Sequence, residues 1–241
     1  MSNHIKRLTT PNGWRIAKKT NVFITKTAPG PHNNHAMPMV VWLRDHMGFA
    51  LNGKEVKKIL NDRFVIVNGR PCTDPKLGIG VFDIISIPKM GKYYRILRNK
   101  RGDYNSVEIT EDASKTRLCK IADKTIVKGG KIQLNLRYGA NIITEGDYKP
   151  KDSLVLTIEG EDRFNVVDHF PYAEGNVAMI IGGRHSGKIG KLTEITTVPG
   201  SVANRVTLEE AGTSLKFDTI EDYVFMVGRE ESVVSDWGID Q

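Results

Sequence analysis

Asn52-Gly53-Lys54-Glu55-Val56-Lys57-Lys58-Ile59-Leu60-Asn61-Asp62-Arg63-Phe64-Val65-Ile66-Val67-Asn68-Gly69 changes its period halfway along. Asn52 is a helix-capping residue type, and Glu55 stands three positions on, the spacing of a capping box in which each side chain satisfies a backbone amide near the other. Val56, Ile59 and Leu60 then recur at i, i+3 and i+4. At about 100° per residue this gives an apolar face, with Lys54, Lys57 and Lys58 clustered opposite it. From Arg63 to Val67 the pattern becomes strand-like, and Asn68-Gly69 is a strong hairpin-turn signal. One face of this α+β unit packs, and the other is a lysine plate.

The unit extends in both directions. Upstream, Val40, Leu43 and Met47 recur at helical spacing and predict a short amphipathic helix between Met39 and Gly48. Downstream, loop residues through Pro75 and Gly80 lead to a strand from Val81 to Ile87 that Pro88 stops. Residues 38–88 thus read as an αα-plus-β-hairpin domain whose exterior carries Arg44, Lys54, Lys57, Lys58, Arg63, Arg70 and Lys76. Residues 1–37 precede it as a basic arm with Lys6, Arg7, Arg15, Lys18, Lys19, Lys26 and His32, interrupted by Pro11, Pro29 and Pro31. No helical or strand period persists there, so the arm is expected to lack a core of its own and to order along a charged groove. Its Trp14 and Phe23 are available for stacking on bases or for anchoring, and Trp14 reads equally as a peg into the next domain. Residues 89–101 read as a basic linker carrying Arg95, Arg98, Lys100 and Arg101 beside Tyr93 and Tyr94.

Beyond Gly102 the texture becomes short strands at regular spacing, predicted at 107–110, 117–121, 132–136, 141–144 and 153–158. Gly129-Gly130, Gly139, Gly146-Asp147 and Gly160 punctuate them. Such spacing predicts a small β-barrel or sandwich over 102–172. A third unit over 173–241 opens on the glycine-rich run from Gly175 to Leu192, adds strands at 205–208, 214–217 and 223–227, and ends in an acidic tail. The fold class is therefore α+β and mostly β.

Gly182, Gly187 and Lys188 satisfy GxxxxGK, the spacing of a phosphate-binding P-loop. A P-loop needs Ser or Thr after the lysine and a helix starting there. Ile189 occupies that position, and residues 188–195 alternate polar with apolar, which is strand periodicity. The run reads instead as a strand, a tight glycine loop presenting Arg184, His185 and Lys188, and a return strand carrying Lys191. The loop suits a phosphate backbone, although a hairpin that merely needs glycine fits the same residues.

Charge divides the same way. Residues 1–101 hold 19 Lys and Arg against 5 Asp and Glu, a net of +14, and the other 140 hold 16 against 23, a net of −7. A basic block of domain size is the footprint of a polyanion, because phosphate neutralisation releases counterions, though a solvated basic surface has the same composition. No run approaches the 18 or so apolar residues of a membrane helix, and the polar N-terminus is unlike a signal peptide, so the expected location is the cytoplasm with no membrane partner. Cys72 and Cys119 stand 47 positions apart, too sparse for a disulfide framework or a thiolate zinc site. The six histidines, His4, His32, His35, His46, His169 and His185, form no metal-ligand spacing. No nucleophile–base pair stands out, and neither cofactor, metal, nucleotide nor small-molecule substrate is expected.

Three segments in this order resemble one family, the small-ribosomal-subunit protein S4e of archaea and eukaryotes. The arm is similar through His4-Ile5-Lys6-Arg7-Leu8, Pro11, Trp14, Ile16, Lys18-Lys19 and Pro29-Gly30-Pro31-His32. Residues 38–87 resemble an S4-type RNA-binding domain through Leu43-Arg44-Asp45, Glu55-Val56-Lys57-Lys58-Ile59-Leu60 and Val65-Ile66-Val67-Asn68-Gly69-Arg70. Residues 175–195 resemble a KOW motif, with Gly190 its central glycine. The resemblance implies a non-catalytic ribosomal protein that binds small-subunit rRNA, meets neighbouring ribosomal proteins, needs no cofactor, and carries a small β-barrel between its RNA-binding domain and an SH3-like KOW barrel. Thr27-Ala28 departs from the family pattern, and the acidic end after Glu230 carries no expected RNA role. An RNA-modifying enzyme and a KOW-containing transcription or translation factor are the alternative readings. The first lacks a catalytic constellation in the β-rich remainder; retention on ribosomal subunits separates the second.

Overall fold

The computed structural model describes residues 4–32, 35–160, 163–210 and 215–229. The chain divides between a first unit of residues 1–97 and 103–115 and a second of 98–102 and 116–241. The acidic end after Glu230 lies outside the described residues, as does the start of the strand predicted at 214–217.

In the first unit, β1 (His4–Lys6) and β2 (Phe23–Thr25) pair antiparallel with Ile5 opposite Ile24. Between them the chain passes through two 3-10 turns, where Arg7 Nε donates to Ala17 O at 2.6 Å and Lys18 Nζ to Thr10 O at 3.3 Å. Trp14 and Ile24 are buried, and the Trp14 carbonyl meets a ring nitrogen of His46. Residues 4–25 thus carry local structure of their own, a short strand pair, where the sequence displayed no period. The arm's strands are three residues long, too short to display a period, and two of its cations, Arg7 and Lys18, satisfy the arm's own carbonyls. Of the two readings of Trp14, the peg is the one observed.

Next come β3 (Met37–Pro38) and α1 (Met39–Val41), which continues into a single π-type turn over Trp42–His46 closed by Met47 N donating to Trp42 O at 2.9 Å. Met39 to Leu43 are all buried, and the polar residues of this helix, Arg44, Asp45 and His46, come together in its last turn. α2 (Gly53–Asn61) forms as predicted: Asn52 Oδ1 accepts from the amides of Lys54 and Glu55 at 2.9 and 3.0 Å, and Glu55 Oε2 accepts from Leu51 N at 2.7 Å. Val56 and Leu60 are fully buried, whereas Lys54, Lys57 and Lys58 are exposed.

β4 (Ile66–Val67) and β5 (Arg70–Pro71) flank Asn68-Gly69, whose φ values of 48° and 74° supply the two left-handed residues of a type I′ turn. β6 (Gly78–Ile79) pairs with β3, and β7 (Ile84–Ile87), β8 (Lys92–Arg98) and β9 (Tyr104–Ile109) complete a sheet of order β5-β4-β7-β8-β9. β8 occupies the segment read as a linker: Tyr94 lies opposite Ile85 and Arg95 opposite Ile84. The aromatic and aliphatic content of Tyr93-Tyr94-Arg95-Ile96-Leu97 outweighs its charge. Trp42 joins the helical layer to this sheet, its Nε1 donating to Ser106 Oγ at 2.8 Å and its ring meeting Tyr94 edge-on at 5.7 Å. A short α3 (Glu111–Ser114), capped by Thr110, leads out.

In the second unit, β10 (Thr116–Ile126), β11 (Ile132–Leu136), β12 (Asn141–Ile143), β13 (Ser153–Thr157) and β14 (Val166–Phe170) form an antiparallel sheet of order β12-β11-β10-β13-β14. β10 pairs with β13 through its first half and with β11 through its second, with a bulge between Ile121 and Asp123. The bulge bends the sheet over one core of Cys119, Ile121, Leu134, Leu136, Ile142, Leu154 and Leu156. β14, absent from the sequence reading, is half-exposed and too mixed in polarity to announce itself. A second sheet, of order β18-β17-β16-β15-β19, contains β15 (Val177–Ile180), β16 (Ile189–Thr196), β17 (Arg205–Glu210), β18 (Lys216–Ile220) and β19 (Val224–Gly228). Gly190 sits where β17 approaches closely: a Cβ there would lie 2.6 Å from Glu209 O, so no larger residue fits without moving the strand. The fold is mostly β with few helices, as the sequence implied.

Candidate nucleic-acid interface

In the first unit, the β1–β2 pair and the start of α2 flank a groove of about 820 Å³. Arg7, Arg44, Lys54, Lys57 and Lys76 line it, and no carboxylate does. Lys54 and Lys57 reach it because the Asn52 cap fixes the first turn of α2 beside Pro75 and Lys76. Lys54, Lys57, Lys58 and Lys76 form no ion pair among the described residues, so their charge is available to a polyanion. Arg44 is turned toward Asp45, its Nη2 donating at 2.8 Å, and Arg7 Nη2 lies 4.0 Å from the same carboxylate. Asp45 thus offsets part of the positive field at one end. His4 and Phe23 supply the other wall, their rings edge-to-face at 4.5 Å.

The remaining expected contacts in this unit sort by burial. Lys6, Arg15, Lys19, Lys26, Arg63 and Arg70 are exposed, Arg15 lying 3.5 Å from Asp103, and Lys18 is half-buried. Three residues leave the candidate surface. Arg7 is 6% exposed and spent on the Ala17 carbonyl; it touches the groove only as part of its floor. His32 is 4% exposed with Nε2 2.7 Å from Asp83, whose carboxylate also accepts from Gly80 N and Asn68 Nδ2. Arg95 is 2% exposed, donates to Ala113 O at 3.0 Å, and is pushed down to about 10 by burial. These three looked like surface cations because charge alone does not reveal which long side chains are folded inward.

In the second unit, the glycine loop packs against the end of the supposed linker. Gly187, at φ +77°, lies against the backbone of Arg98 and Asn99, so closely that a Cβ would collide with the Asn99 carbonyl group. Around this junction Lys100, Arg101 and Arg184 are exposed and Arg98 is half-buried. The loop's other cations are engaged: His185 stacks on Phe217 at 4.8 Å, and Lys188 pairs with Glu210 at 2.9 Å. Lys191 is exposed on β16. Met179 pairs with Ile189 in an antiparallel hairpin, so a strand, not a helix, follows Lys188. The helix N-terminus on which a P-loop depends does not exist at this position.

Among the described residues, no helix is long and apolar enough to cross a membrane, and no group of three His, Cys, Asp or Glu side chains is placed to hold a metal ion. Both cysteines are buried, and burial pushes the Cys72 thiol up to about 11.

Comparison with known proteins finds three family matches in chain order: residues 1–35 with the RS4NT (NUC023) domain, residues 90–163 with the Ribosomal family S4e, and residues 174–209 with the KOW motif. The chain is 53% identical to the small ribosomal subunit protein eS4 of Methanospirillum hungatei over the full length of both. It is 43% identical to the protein of that name from Archaeoglobus fulgidus, covering 95% of this chain and 94% of the relative. Among solved structures, the 30S ribosomal protein S4e of Thermoplasma acidophilum aligns at a TM-score of 0.67 and 25% identity, covering 82% of this chain and 97% of that one.

Proposed function

The chain belongs to the Ribosomal family S4e and is a structural, non-enzymatic constituent of the small ribosomal subunit; from that premise we propose that it holds small-subunit rRNA through two separate basic surfaces. The observation that carries this reading is the groove beside α2, where Lys54, Lys57 and Lys76 stand without an ion-pair partner among the described residues and no carboxylate lines the wall. Lysines without protein partners are point charges that neutralise phosphates and release their counterions, the main source of affinity for RNA. Shape supplies the rest, since the major groove of an A-form helix is too deep and narrow for side chains to read and recognition falls mainly on phosphates and 2′-hydroxyls. The exposed cations Lys54, Lys57 and Lys58, with Lys76, form the first surface; Lys100, Arg101, Arg184 and Lys191 form the second. The acidic remainder of the second unit faces neighbouring ribosomal proteins, where like-charge repulsion from RNA carries no penalty.

Sucrose-gradient fractionation of a tagged chain tests this. Stoichiometric retention on small subunits, lost as salt is raised, is the expected outcome. Recovery only in free or substoichiometric fractions would favour a KOW-containing factor that visits RNA without residing on the subunit.

A further inference from the structure

We infer that the groove beside α2 accepts the unstacked base of an unpaired nucleotide, with Phe23 as its stacking wall and lysines on the opposite side holding the flanking phosphates. The inference rests on the reading of this unit as an RNA-binding surface and adds which RNA feature it takes.

Phe23 stands in a groove walled by cations, yet is 52% exposed. A large apolar ring left in water beside lysines is poorly placed for packing within the protein. It suits a ligand with both a π-face and adjacent negative charge, and a nucleotide has both. His4 meets the Phe23 ring edge-to-face at 4.5 Å and 69°, and the pairing of β1 with β2 places them on adjoining strands, so the ring is held in orientation before any ligand arrives. Preorganised stacking surfaces lose little entropy on binding.

Asn21 lines the same groove and forms no side-chain hydrogen bond among the described residues, which leaves an amide with both donor and acceptor free for a base edge. Asn52, also on the wall, is committed to capping α2. The volume of about 820 Å³ falls within the range of sites that hold a single small ligand, and in a paired helix the faces of a base are covered by its stacked neighbours, so an unstacked base is the one that can lie on Phe23. A stacked base with phosphates on either side satisfies Phe23, Asn21, Lys54, Lys57 and Lys76 together.

The test uses the full chain and two RNA hairpins of equal length, one carrying a single bulged 2-aminopurine and one with the same probe fully paired. Wild type is expected to bind the bulged hairpin about tenfold or more tighter than the paired one and to quench the bulged probe by stacking. Phe23→Ala is expected to abolish the preference and the quenching while binding paired RNA as wild type does, and Phe23→Trp to retain both. Lys54→Glu with Lys57→Glu weakens binding to both RNAs. Equal affinity for the two hairpins with an unquenched probe, or an unchanged preference in Phe23→Ala, overturns the base site while leaving RNA binding intact; Phe23 would then be a protein contact. Failure of wild type to bind either hairpin overturns the underlying reading along with it.

Discussion

Lys120 Nζ donates to the carbonyl oxygen of Val224 at 2.8 Å and so ties the central sheet of the second unit to its C-terminal sheet. A second bond runs from the same amine to Glu221 O at 3.0 Å; Tyr138 stacks on Phe225, and Lys151 pairs with Glu221 at 2.7 Å. The two sheets are held by a buried polar junction as well as by apolar packing.

Burial, reinforced by the nearby Arg137 guanidinium, pushes the Lys120 amine down to about 7. In the unfolded chain it returns to the ordinary lysine range near 10.4. Between these values the unfolded state binds more protons than the folded one, so Lys120 makes stability rise with pH from about 7 to about 10 and contributes no slope below the folded value. The expected slope is at most about 1.4 kcal/mol per pH unit. Urea denaturation of wild type and Lys120→Met across this window checks it. The stability of wild type minus that of Lys120→Met should rise with pH across the window, whichever is the more stable at pH 7, and a constant value would refute the assignment.

His32 and Asp83 are expected to matter for folding rather than for RNA. Asp83→Ala leaves the buried donors of His32 and Gly80, and the half-buried amide of Asn68, without their acceptor and should cost roughly 2 kcal/mol or more, at about 1–3 kcal/mol for each unsatisfied buried group. His32→Ala should lower the thermal midpoint of the first unit, whereas a surface contact to RNA would lower affinity and leave the midpoint unchanged.

Asn52→Ala removes the acceptor for two amides at the start of α2 and should destabilise the first unit by about 1 kcal/mol. Because Lys54 lies in that first turn and Lys57 directly follows it, RNA affinity should fall modestly with it. Circular dichroism melting and a binding titration on the same sample check both effects.

Gly190→Val places atoms against Glu209 O, which a Cβ alone would approach to 2.6 Å. The β16–β17 pairing should open, seen as fast amide exchange across Arg205–Glu210. Amides of α2 should keep wild-type protection, because the substitution lies in the other unit.

How much of this was legible in the sequence depends on the length over which a pattern repeats. α2 and its cap were readable because a capping pair, a three-residue apolar stripe and a lysine face agreed within nine residues. The Asn68-Gly69 turn was readable because few other pairs take two left-handed residues. The strand after Lys188 was readable from its alternation, which also removed the P-loop reading. β1, β2 and β14 were not, being short or mixed. The basic segment of Lys92 to Arg98 hid a sheet strand because its charges drew attention from its aromatic and aliphatic residues. The burial of Arg7, His32 and Arg95 depends on partners far along the chain or on local folding that no single window displays. The groove itself joins β2 to α2 across some thirty positions, a juxtaposition only tertiary structure creates.

On the proposed reading, the lysines of α2 hold RNA by charge. Its most direct test is the salt dependence of equilibrium binding to small-subunit rRNA for wild type, for Lys54→Glu/Lys57→Glu/Lys58→Glu, and for the exposed control Glu145→Lys/Glu159→Lys. The lysine variant should bind roughly a hundredfold more weakly at about 0.1 M salt and lose about two to three from the log–log salt slope, near one per phosphate contact, while the control binds as tightly as wild type or tighter. Wild-type affinity and slope in the lysine variant would contradict the account.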